Sequence, residues 1–215
     1  MGLHLIVIST SGVLMVTLVN RFGVDTTAAY GAAFQVWNYI QMPAFAVGMA
    51  CSAMAAQNVG AGEWMRVRRT ARVGVVYSLL LTGTLIFLIE VFSRQALGLF
   101  LREGSAALVL AEHLNRISAW SFVFFGVTLV LFGVVRATGA VMAPLIILTV
   151  TMLLVRYPLA TFLIPRFHAD AIWWSFPVSS AMATILALGY YKFGRWRTAR
   201  MLSVPLQGAA TAAES

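Results

Sequence analysis

The chain has 215 residues, of which 60% are hydrophobic and only 10% charged, with a mean hydropathy of +0.87. Soluble globular domains average roughly 45–50% apolar and about 25% charged residues, so an ordinary soluble enzyme, a disordered chain and a secreted disulfide scaffold are excluded. The net charge of +8 is nearly all arginine set between apolar runs, which fits basic flanks on an anionic leaflet rather than a nucleic-acid surface.

A bilayer crossing takes about 20 apolar residues, so the length predicts roughly six spans in one all-α integral membrane domain over residues 1–194. The first span is read at 3–19, with no basic n-region and no small-residue cleavage site that would make it a signal peptide. Gly23-Val24-Asp25 separates it from the second span, 27–58, which holds Pro43 near its middle and is expected to kink or tilt. Gly60-Ala61-Gly62 stops that helix, and a basic stretch with Trp64 over 63–72 leads to the third span, 71–92. That stretch is expected to lie on anionic headgroups as an orientation signal. An amphipathic connection over 94–105 precedes the fourth span, 108–135; the fifth is 142–164, with Pro144 in its first turn, and the sixth is 171–193. Residues 195–215 are expected to form a basic cytoplasmic stub and then a disordered small-residue tail.

Orientation follows from the loops. Arg66, Arg68, Arg69, Arg72, Arg136, Lys192, Arg195, Arg197 and Arg200 fall on one side. Arg21, Arg94, Arg102, Arg116 and Arg166 fall on the other, together with Asp25, Glu103, Glu112 and Asp170. The first side is therefore expected to be cytoplasmic, with both termini there, in the cell (inner) membrane. Arg156 falls inside the fifth span near its outer end, where it can snorkel or pair. Cys51, the only cysteine, lies in an apolar run and reads as a small packing residue.

Several strings resemble those of the multidrug and toxic compound extrusion (MATE) family. Ala28-Ala29-Tyr30-Gly31-Ala32 and Ala56-Gln57-Asn58-Val59-Gly60-Ala61-Gly62 resemble the "AA" opening and "Q-N-x-G-A-G" end of a helix in that family. Gly133-Val134-Val135-Arg136-Ala137-Thr138-Gly139 resembles its "G-x-L-R-G-x-G" string, and Arg156-Tyr157-Pro158-Leu159 its "R-I-P-L". Family members have twelve helices in two six-helix lobes. The resemblance implies that this chain is the C-terminal lobe, a six-transmembrane-helix bundle, and that it handles amphiphilic organic cations or metabolites exchanged for sodium ions or protons. Some members carry an acidic cation site on helices seven and ten. Here 3–19 has no acid, and Phe125 stands at about the helix-ten position. The resemblance then implies a coupling acid in the N-terminal lobe.

Candidate substrate-binding residues are Thr10, Gln35, Asn38, Gln41, Met42 and Trp120. On a helix Gln35, Asn38, Met42 and Phe45 form one stripe, with Gln41 beside it. Amides are costly in lipid unless they face protein or water. The stripe suits either a cavity for bulky amphiphiles or hydrogen bonds between helices. Ser9, Thr10 and Ser11 could line the same cavity or simply permit close packing. Trp120, Phe124 and Thr128 share a face that fits a cavity, packing or lipid. Trp173, Trp174, Tyr190, Tyr191 and Trp196 read as interface anchors. Glu90, an acid toward the outer end of the third span, is either proton-linked or paired with Arg94.

The three histidines lack ligand spacing, so no metal site is expected. Without a Walker string, a Ser-His-Asp set or a dinucleotide fingerprint, the chain is read as a transporter part rather than an enzyme. It needs no cofactor beyond the coupling ion. Expected partners are the bilayer, a small-molecule substrate and an N-terminal lobe or second copy, not nucleic acid. Rival readings are a half-size homodimeric transporter, a non-transporting membrane fragment or interaction module, and a lipid-linked precursor flippase. The last would line its cavity with cations, for which only Arg156 is a candidate.

Overall fold

A computed structural model describes residues 2–198, so the tail expected to be disordered lies outside the described residues. In chain order the helices are α1 (Gly2–Val19), α2 (Val24–Gly60), α3 (Trp64–Val91), α4 (Ser93–Gly98), α5 (Ala106–Ser118), α6 (Ser121–Arg136), α7 (Met142–Thr149), α8 (Tyr157–Phe167) and α9 (Asp170–Phe193). A seven-residue π-helical segment, Val150–Arg156, joins α7 to α8, and 3-10 turns cover Asn20–Phe22 and Arg195–Thr198. Among the described residues there is no strand. The fold is an all-α membrane bundle. Val24–Gly60, Trp64–Val91, Met142–Phe167 and Asp170–Phe193 are long and apolar enough to cross a bilayer. The α5–α6 pair, bent by 45°, meets the same test when taken as one span, and α1 is a shorter apolar helix. The count is close to the six spans expected.

Local chemistry sets the breaks. Gly23 has φ +98°, a conformation that favours glycine, and it separates the first 3-10 turn from α2. The hydroxyl of Ser105 accepts from the Leu108 N–H at 3.3 Å and so caps α5. Pro158 has no N–H to give to the preceding turn, and the π-helical segment ends two residues before it.

The basic stretch 63–72 forms the N-cap and opening turns of α3. The connection 94–105 overlaps the short helix α4. One feature differs from the sequence reading. The fourth span is broken between Ser118 and Ser121, although no glycine or proline marks the place. At the break Ser121 Oγ donates to the Ser118 carbonyl at 2.6 Å, which satisfies a group that the bend releases. Helix α2 runs unbroken through Pro43.

Helices α2 and α6 form the centre, packed on each other and shared by α3 on one side and α9 on the other. Two apolar cores result. The larger holds Met15, Tyr30, Trp37, Phe122, Phe125, Phe132, Trp173 and Phe176. The smaller holds Cys51, Ala55, Val67, Ala71, Val130, Val134, Val135 and Trp196. In the second, helix backbones come close: a Cβ added to Gly133 would meet the Gly48 carbonyl oxygen, and one added to Gly74 would meet the Cys51 sulfur. Small residues that let backbones approach are a usual means of holding membrane helices together. Trp196 is not an interface anchor here. It is buried, stacks on Tyr191 with ring centroids 5.0 Å apart, and its Nε1 donates to the Tyr191 carbonyl at 2.8 Å. Trp173 is likewise buried, on Tyr30, whereas Trp174 is exposed.

Candidate functional site

A cavity of about 580 Å³ opens between α1, α2, α6, the π-helical segment and α9. Helix α2 supplies Tyr30, Phe34, Trp37, Asn38, Gln41 and Phe45, which recur every three or four residues and so form one face. Helix α6 adds Ser121, Phe122 and Phe125; Met152 and Arg156 come from the π-helical segment, and Phe176 and Ser180 from α9. Helix α1 closes the remaining side with residues that include Ser9, Gly12 and Val16. The walls are mostly aromatic and aliphatic, with a few amides and hydroxyls, a composition typical of small-molecule pockets. Arg156 is the only charged side chain among the lining residues.

Of the residues singled out from sequence, Asn38 and Gln41 line the cavity. Gln35, Met42, Thr10 and Trp120 are exposed and do not line it. The cavity face of α2 passes through 34, 37, 38, 41 and 45, so Gln35 and Met42 sit one residue, about 100° of rotation, away from it. On α1, Ser9 lines the space and Thr10 does not; Ser11 is buried and donates to the Met152 carbonyl at 3.2 Å, fastening α1 to the π-helical segment. On α6 the stripe of Trp120, Phe124 and Thr128 faces elsewhere. Thr128 and Thr184 share a hydrogen bond of 3.0 Å that ties α6 to α9.

Arg156 does not snorkel. It is 8% exposed, its Nε donates to Ser179 Oγ at 2.8 Å and its Nη2 to Ser180 Oγ at 3.4 Å. Its guanidinium lies over the Phe176 ring, 4.6 Å from the centroid. The sequence signal was a charge in an apolar run; the inward direction came only with the π-helical segment.

Behind the α2 wall runs a polar chain, buried at Trp37 and Asn115 and half-buried at Glu90. Trp37 Nε1 donates to Asn115 Oδ1 at 2.9 Å, and Asn115 Nδ2 donates to Glu90 Oε1 at 3.0 Å. Glu90 is thus held by Asn115, and among the described residues it makes no ion pair with Arg94. Phe125 packs edge-on against Phe45, with centroids 5.7 Å apart. His113 Nε2 lies 2.9 Å from Asp170 Oδ1, outside the cavity.

Comparison with known proteins gives this all-helical bundle, with its aromatic cavity, a family. The MatE family model matches residues 1–162, and the chain belongs to this family of multidrug and toxic compound extrusion transporters, which are not enzymes. It is 37% identical over 194 residues to the probable multidrug resistance protein YoeA of Bacillus subtilis (strain 168), covering 89% of this chain and 42% of YoeA. To the probable multidrug resistance protein YpnP of the same organism it is 30% identical over 202 residues, covering 94% and 45% respectively. The fold matches a solved structure of the MATE transporter ClbM in complex with Rb+, with a TM-score of 0.83 at 19% identity over 91% of this chain and 47% of that one. The chain therefore spans less than half the length of the relatives it matches.

Proposed function

We propose that the chain is the C-terminal half of a multidrug efflux antiporter. In this reading it exports amphiphilic organic compounds across the cell membrane in exchange for sodium ions or protons. The observation that carries it is the cavity: an aromatic, amide-flecked space of about 580 Å³ in a chain of the MatE family. A second lobe facing it would complete a site that two rigid halves expose alternately to either side. Asn38 and Gln41 present adaptable donors and acceptors there, and Tyr30, Phe34 and Trp37 present apolar area. The absence of any acid among the lining residues supports placing the coupling acid on the partner lobe.

The test fuses the chain to the N-terminal lobe of YoeA and follows efflux of cationic, neutral and anionic fluorescent amphiphiles from energised cells. The expected result is export of at least one of them, reduced about tenfold or more when Asn38 and Gln41 are both changed to Leu, since two charge-free hydrogen bonds of about 1 kcal/mol each are removed. A fusion that inserts in the membrane and exports none of the dyes, or a double variant with unchanged efflux, overturns the reading.

A further inference from the structure

Arg156 poses a physical problem that the efflux reading alone does not answer. A guanidinium inside a membrane bundle is costly unless its charge is compensated. Usually an Asp or Glu does this, but among the described residues no carboxylate pairs with Arg156. Its neighbours are neutral. Ser179 Oγ accepts from Nε while donating to the Phe176 carbonyl at 3.1 Å, so its single proton is committed elsewhere. Ser180 Oγ accepts from Nη2. The Phe176 ring fixes the plane of the fork. A guanidinium has five N–H donors, and among the described residues Nη1 has no hydrogen-bond partner. The group lines the cavity, and no acid lines it.

We infer that Arg156 is the anchor of an oxyanion subsite in this cavity. The cavity would thus take amphiphiles that carry a carboxylate, sulfonate or phosphate on an aromatic or apolar body. This rests on the reading that the cavity holds the transported compound, and it narrows that compound's class. The free edge of a guanidinium matches an oxyanion with two parallel hydrogen bonds. The body of the ligand lies along Phe34, Trp37 and Phe122. A lone positive charge in a water-poor space attracts an anion and repels a cation, so the organic cations that the family resemblance implies meet an unfavourable wall on this lobe.

The test uses the whole chain in nanodiscs of phosphatidylcholine, with binding measured by calorimetry and corrected with protein-free discs. Three probes share one ring system: 2-naphthoate, 2-naphthylmethanol and 2-naphthylmethylammonium. Naphthoate is expected to bind tightest. Arg156→Gln should weaken naphthoate roughly tenfold or more, as loss of a charge-assisted hydrogen bond does, and leave naphthylmethanol unchanged. Arg156→Lys should restore part of the loss. Arg166→Gln, an exposed control of equal charge, should change none of the three. If Arg156→Gln fails to fold, Ser180→Asp serves instead: it places a carboxylate beside the guanidinium and should erase the preference for naphthoate while retaining naphthylmethanol.

Equal binding of the three probes, or preference for the ammonium, overturns the inference and leaves the efflux reading standing. Binding of none of them overturns this inference and the cavity reading together. Repeating the titration with phosphatidylglycerol in the discs separates two sources of the oxyanion. Competition assigns the subsite to a lipid phosphate and lack of competition to a free amphiphile, and both results support it.

Discussion

The two cores of this bundle are built from the same central helices and differ in almost every physical respect. Around the smaller core, α2, α3 and α6 meet through Gly48, Gly74 and Gly133, with alanine and valine between them and Trp196 folded over one end. Around the larger core the same α2 and α6 carry Trp37, Phe122 and Phe125 and stand apart from α1, leaving the cavity. Helices that touch backbone to backbone cannot slide without a steric clash, whereas helices held off by aromatic side chains leave room for something else. One end of the bundle is therefore the fixed frame and the other the working face. The residue composition along α2 changes accordingly, from aromatic and amide to glycine, alanine and cysteine.

Changes at the tight end are expected to cost most. Trp196→Ala removes a buried indole, its stack on Tyr191 and its bond to the Tyr191 carbonyl. It should destabilise by about 3–5 kcal/mol, read as a fall of roughly 6–20 °C in apparent Tm in detergent at fixed scan rate. A fall no larger than that of Trp174→Ala, an exposed tryptophan, would remove Trp196 from the frame. Gly133→Ala drives a methyl against the Gly48 carbonyl, a backbone atom with no rotamer to yield. A loss of about 1–3 kcal/mol is expected, and an unchanged Tm would show that the helix approach is looser than described.

Asn115→Leu sits at the boundary between the two regimes. It strips the Trp37 N–H of its acceptor and Glu90 of its donor, with an expected cost of about 1–3 kcal/mol. In Trp37→Phe the same asparagine should matter less; additive losses in the double variant would break the chain of bonds into independent contacts. The smallest effect is expected from Gly12→Ala on the working face, where a Cβ meets nothing within 4 Å. Stability should stay level or rise by up to about 1 kcal/mol from helix propensity, while the added methyl narrows the space. A clear loss of stability at Gly12 would erase the contrast between the two ends.

The positions of the long helices were legible because long apolar runs bounded by glycine and arginine leave little choice in lipid. The break at Ala119-Trp120 was not, since both residues keep helical backbone angles and neither is a helix breaker. Both α5 and α6 pack on α2 and α9, and α6 alone of the two also packs on α3. At the site, Asn38 and Gln41 could be found from their cost in lipid, but the exact facing of α2 could not. One residue of phase separates Gln35 from Phe34, and only tertiary contacts set that phase. Arg156 was visible as an anomaly. Its direction was hidden because the π-helical segment shifts the helical count just before it.

The paired tryptophans also have an optical consequence. Trp37 and Trp196 are both 1% exposed, one in the cavity wall and the other in the core away from it. Each indole is shielded from water to the same degree, so neither emission is dominated by solvent, yet only one has a neighbour that can change. With the remaining four of the six tryptophans replaced by phenylalanine, the molecule would carry a sensor and its own internal reference. Quenching at Trp37 could then be read against the constant emission of Trp196 in the same molecule, independent of concentration or lamp intensity.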